Sequence, residues 1–376
     1  MELEVQKFLR AGNTLADLTT KYGIIASINE KLGITALNYN QIVSPMGEKI
    51  SQECRALILE LDTWNVVFKS FYKFFNLGEG HAPEIDWNNC RALNKLDGSL
   101  VGVWFYKNEW HVNTKGTTSA EGPLGDLDLT FKDLILRTIT NLYGSFEKFT
   151  SNLNPDIFYT FELITKDNLI FCRYNEEQLT LIGAFAKDTL QELDIFGEDF
   201  SSYPYPIVES YPLNKLEDIL EFVNSRDPLQ FEGIVVCDSN FNRVKIKNPD
   251  YVIGHRAKSH LNTTKQRLEL VLSDKMDDIL SILPPMYQEE ILVVKGNFDK
   301  LVSAIQFKYE QIANIEVQKD FALEAVKSSF SGILFTMRNK KVSVYDAIKG
   351  MHLNGVYSQY CKFLGVSEKE EVIAVE

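Results

Sequence analysis

The 376-residue chain exceeds what one compact core usually holds, so two domains are expected. Apolar residues make up 45%, ample material for a globular core, and no apolar run is long enough to span a bilayer. The net charge of −13 argues against a general nucleic-acid surface, because phosphate contacts need Lys and Arg.

The opening Met1-Glu2-Leu3-Glu4-Val5 is acidic and has no apolar h-region, so no signal peptide is expected. Arg55–Asp62 and Val66–Phe71 are short apolar or alternating runs about an Asp-Thr-Trp-Asn turn and predict a strand pair. Leu100–Tyr106 and Trp110–Thr114 predict a hairpin around Lys107-Asn108-Glu109. Phe158–Ile164, Leu179–Ala186, Ile234–Cys237 and Arg243–Lys247 continue the strand series. Amphipathic helices are predicted over Asp133–Phe149 and Leu216–Asn224. Runs of strands with interleaved helices define an α+β class with largely antiparallel sheets. Beyond about residue 260 the period turns helical. One helix covers Lys265–Leu283 and stops before Pro284-Pro285; others cover Gln288–Ile312, Lys319–Met337 and Val344–Phe363. The expected organisation is one domain over residues 1–255 and an all-helical one over 256–376.

Five scattered cysteines (Cys54, Cys90, Cys172, Cys237, Cys361) form no CxxC pair and read as reduced residues of a cytoplasmic protein. The histidines do not pair at metal-ligand spacing, and no Gly-rich loop precedes a Lys-Ser/Thr, so neither a zinc centre nor a P-loop kinase is expected. Arg243, Lys245, Lys247, Arg256, Lys258, Lys265 and Arg267 crowd one stretch in which Asp250 is the only acid. That run is either a local basic surface on an acidic protein or an ordinary solvated charge run.

The sharpest local signal is Lys95-Leu96-Asp97-Gly98-Ser99, directly ahead of the Leu100–Tyr106 strand. Alone it reads as a plain Asp-Gly turn, and Lys-x-Asp-Gly arises by chance in roughly one chain of this length in ten. Its company is more specific. In order along the chain stand Glu53-Cys-Arg55, Lys73-Phe-Phe-Asn76, Lys95-x-Asp-Gly-Ser99, Lys115-Gly116, Phe161-Glu162, Glu232-Gly233 and Lys245-x-Lys247. This series resembles the covalent nucleotidyltransferase superfamily of ATP-dependent ligases and capping enzymes. The Glu-Cys-Arg and Lys-Phe-Phe-Asn segments resemble the phage T4 RNA ligase 1 family more narrowly. The resemblance covers roughly residues 35–255. One departure is Ala56 after Glu-Cys-Arg, where the family pattern has Gly.

Several roles can be read from residue chemistry. A lysine that attacks a phosphate must first lose a proton, which costs roughly 4–5 kcal/mol at pH 7 from an ordinary lysine. Lys245 and Lys247 alternate on a predicted strand, so both face one side and could lower that cost as neighbouring cations. They could also offset charge in an in-line displacement. Carboxylates at Glu162 and Glu232 could hold the waters of a Mg²⁺ ion, which binds few protein ligands directly. The resemblance implies that Lys95 is the nucleophile toward ATP. It puts Glu162 around the ribose and metal, Glu232 near metal and nucleophile, and Arg55, Lys73 and Lys115 at the triphosphate. Phe75 and Tyr251 are candidates to pack on adenine, and Gly98 and Gly116 to admit the backbone close to the nucleotide.

The implied function is an ATP- and Mg²⁺-dependent RNA ligase that joins 5′-phosphate and 3′-hydroxyl RNA ends through AMP on Lys95. A monomeric cytoplasmic enzyme is expected, inside the host cell if phage-encoded. The helical domain is expected either to recognise a structured RNA such as a nicked tRNA or to support the catalytic domain. The alternatives are a DNA ligase or capping-type enzyme, an enzyme that adenylylates proteins or small molecules, and a non-catalytic nucleic-acid-binding relative. DNA ligases and capping enzymes usually carry a β-rich OB-fold after the Lys-x-Lys strand, so strands within 265–337 would favour them.

Overall fold

The computed structural model describes residues 2–124, 127–259, 261, 263–273, 276–283 and 285–367. It divides into two compact units, Met1–Val252 and Ile253–Glu376. No helix among the described residues is long and apolar enough to cross a membrane.

The first unit opens with helices α1 (Glu4–Arg10) and α2 (Leu15–Tyr22), then strands β1 (Ile24–Asn29) and β2 (Ile34–Tyr39). Thr14 starts α2 by accepting from Asp17 N–H, and Gly23 ends it in a left-handed cap. After the short helix α3 (Lys49–Glu53) come β3 (Leu57–Glu60) and β4 (Val66–Phe68), and β1 to β4 form one antiparallel sheet in chain order. The β1–β2 hairpin is an addition to the strands read from the sequence. Ala56 has φ +55°, so the family's Gly position is a left-handed one that a methyl group strains. It is not the plain strand position the sequence reading assumed.

Next come β5 (Phe75–Asn76), β6 (Cys90–Lys95), β7 (Ser99–Tyr106), β8 (Glu109–Thr114), and the small pair β9 (Pro123–Leu124) and β10 (Leu127–Thr130). Helices α4 (Phe131–Tyr143) and α5 (Phe146–Thr150) follow. One helix was expected across Asp133–Phe149, but Gly144 (φ +94°) ends the first and Ser145 caps the second. The unit continues with β11 (Ile157–Ile164), β12 (Gln178–Ala186), β13 (Glu192–Leu193), β14 (Ser210–Tyr211), α6 (Leu216–Asn224), β15 (Gly233–Asp238) and β16 (Arg243–Lys247). These make two five-stranded sheets, β13-β12-β11-β7-β8 and β14-β6-β15-β16-β5. Every pairing in them is antiparallel except β16 with β5. The class is α+β, as the strand pattern predicts. The turn after β6 crosses from one five-stranded sheet to the other, and that crossing is Lys95-Leu-Asp-Gly-Ser99.

Helix α7 (Pro249–Ser259) follows β16, and every later element among the described residues is a helix. In the second unit these are α8 (Thr264–Leu272), α9 (Met276–Ile282), α10 (Pro285–Ile312), α11 (Gln318–Ala325), α12 (Ser331–Lys340), α13 (Val344–Lys349) and α14 (Leu353–Leu364). The strands that would favour an OB-fold are not found among the described residues of 265–337. Three long helices read from the sequence are each two shorter ones. The last breaks at Gly350, and His352 caps α14 by accepting from Asn354 N–H. Pro285 starts α10 rather than only ending its predecessor, because the first turn of a helix needs no proline N–H. The 28-residue α10 packs against α8, α11, α12, α13 and α14, burying Phe298, Leu301 and Ile305.

Candidate active site

The sheet register assembles the centre of the site. Gly233 on β15 pairs with Lys95 on one side and Lys247 on the other. The two lysines therefore stand two strands apart, about 10 Å at the backbone, on one face. Gly233 supplies no side chain between them. Its φ is +155°, and an added Cβ would meet the Ile246 carbonyl at 2.3 Å. Glu232, one residue earlier, fills the gap. Lys95 Nζ donates to Glu232 Oε2 at 2.7 Å, and Lys247 Nζ lies 2.8 Å from Oε1.

Glu232 is only 3% exposed. Burial alone would raise its pKa, but the two ammonium groups hold it below the usual carboxylate value. Lys95 shows the converse. Burial alone would lower its pKa, but Glu232 and Glu162 outweigh it and raise the amine above the ordinary value. The cations expected to ease its deprotonation are outweighed by these carboxylates. A carboxylate in contact at 2.7 Å acts more strongly than cations farther away.

The depressed lysine is Lys245. Burial, with Lys73, Lys95, Lys247 and Arg55 nearby, pushes it down to about 7. It forms no ion pair among the described residues, and its Nζ lies 5.5 Å from the Phe74 ring centre. Glu162 on β11 is also displaced, pushed up to about 7 chiefly by burial, while its Oε1 accepts from Gly98 N–H at 3.1 Å. An added Cβ on Gly98 would meet the Leu163 carbonyl at 2.4 Å. The close approach expected there is therefore to β11, within the protein. Gly116 faces open space.

The expected triphosphate residues cluster because of backbone bonds far apart in sequence. Tyr39 N–H donates to the Cys54 carbonyl, and Lys73 N–H to the Gln52 carbonyl. These bonds bring Tyr39, Arg55 and Lys73 together. Lys73 Nζ lies 5.6 Å and Lys115 Nζ 4.7 Å from the Tyr39 ring centre, and Arg55 is close enough to act electrostatically on the Tyr39 hydroxyl. The Arg55 guanidinium lies 5.4 Å from the Phe74 ring, and its Nη1 is buried without an acceptor among the described residues, a donor suited to a ligand oxygen. Neither Tyr39 nor Phe74 was singled out from the sequence. Phe74 was legible as the neighbour of Phe75, whereas the signal for Tyr39 lay only in its hairpin.

Phe75 and Tyr251 are both buried, and neither presents an open face for a base. Phe75 packs beside His81 and Lys73. Tyr251 is 2% exposed, meets Phe171 edge-on, and donates its hydroxyl to Asp97 Oδ1 at 2.8 Å. Lys247 Nζ lies 5.3 Å from the Tyr251 ring centre.

The described side chains of the basic run divide among different surroundings. Arg243 points inward against Glu192, Lys245 and Lys247 line the site, and Arg267 pairs with Glu290. The side chains of Arg256 and Lys258 lie outside those described.

Among the described residues no group of three or more His, Cys, Asp and Glu is placed to hold a metal. The donors near Lys95 are the two carboxylates Glu162 and Glu232, both already engaged by N–H groups. An oxygen-only set with so few ligands fits a hard, hydrated dication held through water and substrate, such as Mg²⁺, and does not fit zinc.

A lysine at the crossing between two antiparallel sheets, with a carboxylate and cations around it, is the site plan of the nucleotidyltransferase class. Within that class the chain belongs to the T4 RNA ligase 1-like family of RNA ligases, whose family model, described as RNA ligase, matches residues 53–251. An Autographa californica nuclear polyhedrosis virus protein, named for both polynucleotide kinase and RNA ligase, is 28% identical over 297 residues. That match covers 75% of this chain and 42% of the viral protein, so the chain spans about two fifths of that relative's length. An RNA ligase of Rhodothermus phage RM378 is 27% identical over 320 residues, covering 69% of this chain and 72% of the phage protein. A solved archaeal ATP-dependent RNA ligase is 14% identical, with a TM-score of 0.47 over 97% of this chain and 90% of that one.

Proposed function

We propose that this protein is an ATP-dependent ligase of RNA ends that carries AMP on Lys95. The observation that supports it best is the Lys95–Glu232–Lys247 ion-pair row beside the Arg55, Lys73, Lys115 and Lys245 cations. Such an arrangement suits a lysine that meets a polyphosphate in line.

In the first step the Lys95 amine, having lost a proton to solvent, attacks the α-phosphorus of ATP. An N–P bond forms, the bond to the bridging oxygen breaks, and pyrophosphate leaves. In the second, a 5′-phosphate oxygen of an RNA end attacks that phosphorus, and the lysine takes back a proton as it departs. In the third, a 3′-hydroxyl attacks the RNA 5′-phosphorus, losing its proton and expelling AMP. The intermediate divides one hard condensation into displacements. A dication held by Glu162 and Glu232 would supply charge neutralisation on the triphosphate.

Lys95 starts as a charged amine locked to Glu232, so the resting site is protected from premature reaction. Nucleotide binding supplies new acceptors for Lys247, which releases that lysine from Glu232. Arg55, Lys73 and Lys115 orient the departing phosphates, and Lys245 adds its charge once protonated. We assign to the helical unit the recognition of a structured RNA, of which a cleaved tRNA loop is one example.

Intact mass after incubation with ATP and Mg²⁺ tests the reading, with Lys95→Ala alongside. One AMP-sized increment on the parent protein alone, discharged by 5′-phosphorylated RNA with formation of a joined product, is expected. A folded, unadenylylated parent that gains no mass would overturn it. An adduct that RNA fails to discharge would point instead to adenylylation of proteins or small molecules.

A further inference from the structure

The turn that carries Lys95 is gripped from outside. Asp97 N–H donates to the Tyr174 hydroxyl at 2.8 Å, and the Ser99 hydroxyl accepts from Asn168 Nδ2 at 2.6 Å. The Asp97 carboxylate, 5% exposed, accepts from Phe171 N–H at 2.8 Å and Cys172 N–H at 2.7 Å. All four partners lie within residues 168–174, in the connection between β11 and β12. The same segment reaches the chain leading into Glu232. Arg173 N–H donates to the Leu229 carbonyl at 2.6 Å, and the Cys172 thiol lies 3.5 Å from the Pro228 carbonyl. One short segment thus holds both the nucleophile's turn and the approach to the carboxylate that pairs with it.

We propose that Tyr174, with Asn168, is a positioning residue for the covalent step, setting where Lys95 stands relative to Glu232 and an incoming α-phosphate. The inference rests on the ligase reading above and deepens it. Asp97 already takes three donors on its carboxylate, so its side chain is fixed whatever happens at Tyr174. The Tyr174 hydroxyl instead fixes the backbone of the turn, two bonds removed from the nucleophile's own peptide. Displacement of a nucleophile by about 1 Å costs on the order of 100-fold in rate, since reacting atoms must lie about 3–3.5 Å apart and aligned. Lys95 is needed to form and discharge lysyl-AMP. It forms no bond in the final sealing of an RNA end already carrying AMP.

That asymmetry supplies the test. Single-turnover formation of the AMP adduct and sealing of a chemically pre-adenylylated RNA are measured for the full chain, for Tyr174→Phe and for Asn168→Ala. The expected result is a fall of about 10- to 100-fold in the maximal adenylylation rate, with the ATP concentration for half-maximal rate changed less than about threefold. Sealing of pre-adenylylated RNA stays within about threefold of the parent. Equal losses in both reactions, with a lowered melting temperature, would mean that the segment only holds the fold together and would overturn the proposal. So would an unchanged adenylylation rate in both variants. A parent protein that forms no adduct overturns the ligase reading itself, which keeps the two failures apart.

Discussion

Lys95 is a charged amine where the proposed covalent step needs a neutral one, and Glu232 is the main reason. Replacing Glu232 with Gln removes the largest influence that raises the Lys95 pKa and leaves burial opposed only by Glu162 and Asp97. The Lys95 pKa is therefore expected to fall by at least about one unit, read from the pH dependence of its labelling by an amine-reactive reagent. An unchanged titration would mean that Glu232 does not control this amine. Lys245 makes a second prediction. Its ammonium form is lost as pH rises through about 7, and a bound triphosphate favours that form. Binding above that pH takes up a proton, so affinity falls with rising pH, by up to about tenfold per unit for one linked proton. Titration of an α,β-methylene ATP analogue between about pH 7 and 9 should show that slope, and Lys245→Ala should bind more weakly with a shallower profile. At this scale the Lys-x-Asp-Gly, Glu-Gly and Lys-x-Lys motifs were legible. The charge state of each lysine was not, because it depends on which carboxylate reaches which amine.

Arg243 begins β16 and pairs with Glu192 on β13, which joins strands of the two five-stranded sheets. Both side chains are buried, at 9% and 11% exposure, and the guanidinium lies 4.7 Å from the Phe71 ring centre. Arg243→Met leaves a carboxylate buried without its partner, which costs about 3–5 kcal/mol. A urea midpoint well below the parent's is expected, with most of the loss recovered in Arg243→Met combined with Glu192→Leu. A double variant as unstable as the single one would show that the pair is not the cause. Gly233→Ala is expected to cost about 1–3 kcal/mol by driving a methyl group into the Ile246 carbonyl and parting β15 from β16. The strands were readable from alternation, but helix ends were less so. Gly144 and Gly350 divide helices whose apolar period runs on across the break, so periodicity alone joined what local caps separate.

For the whole molecule, the net charge of −13 hides a local concentration of cations. Arg55, Lys73, Lys115, Lys245 and Lys247 gather around one site while most acids lie elsewhere, so summed charge misjudges the field a polyphosphate meets. The two units support a prediction about division of labour. A chain ending at Ser259 should still form the AMP adduct at a rate within about tenfold of the full chain, since the site residues all lie before Val252. Joining of a nicked, structured RNA should fall further than joining of short single strands, read by comparing both substrates in one assay. Equal losses on the two would remove the recognition role from the helical unit.

The sequence by itself determined the α+β class, the change to helices beyond about residue 260, the order of the family motifs and the lysine proposed to attack. These are local or one-dimensional properties: side-chain period, turn chemistry, and residue types at fixed spacing. Only the tertiary structure decided that Lys95 is paired rather than neutral, that Tyr39 belongs with Arg55, Lys73 and Lys115, and that Tyr251 is buried against Asp97. Each of those depends on contacts between segments many residues apart. Strand register and desolvation, neither carried by any single stretch of chain, set the outcome.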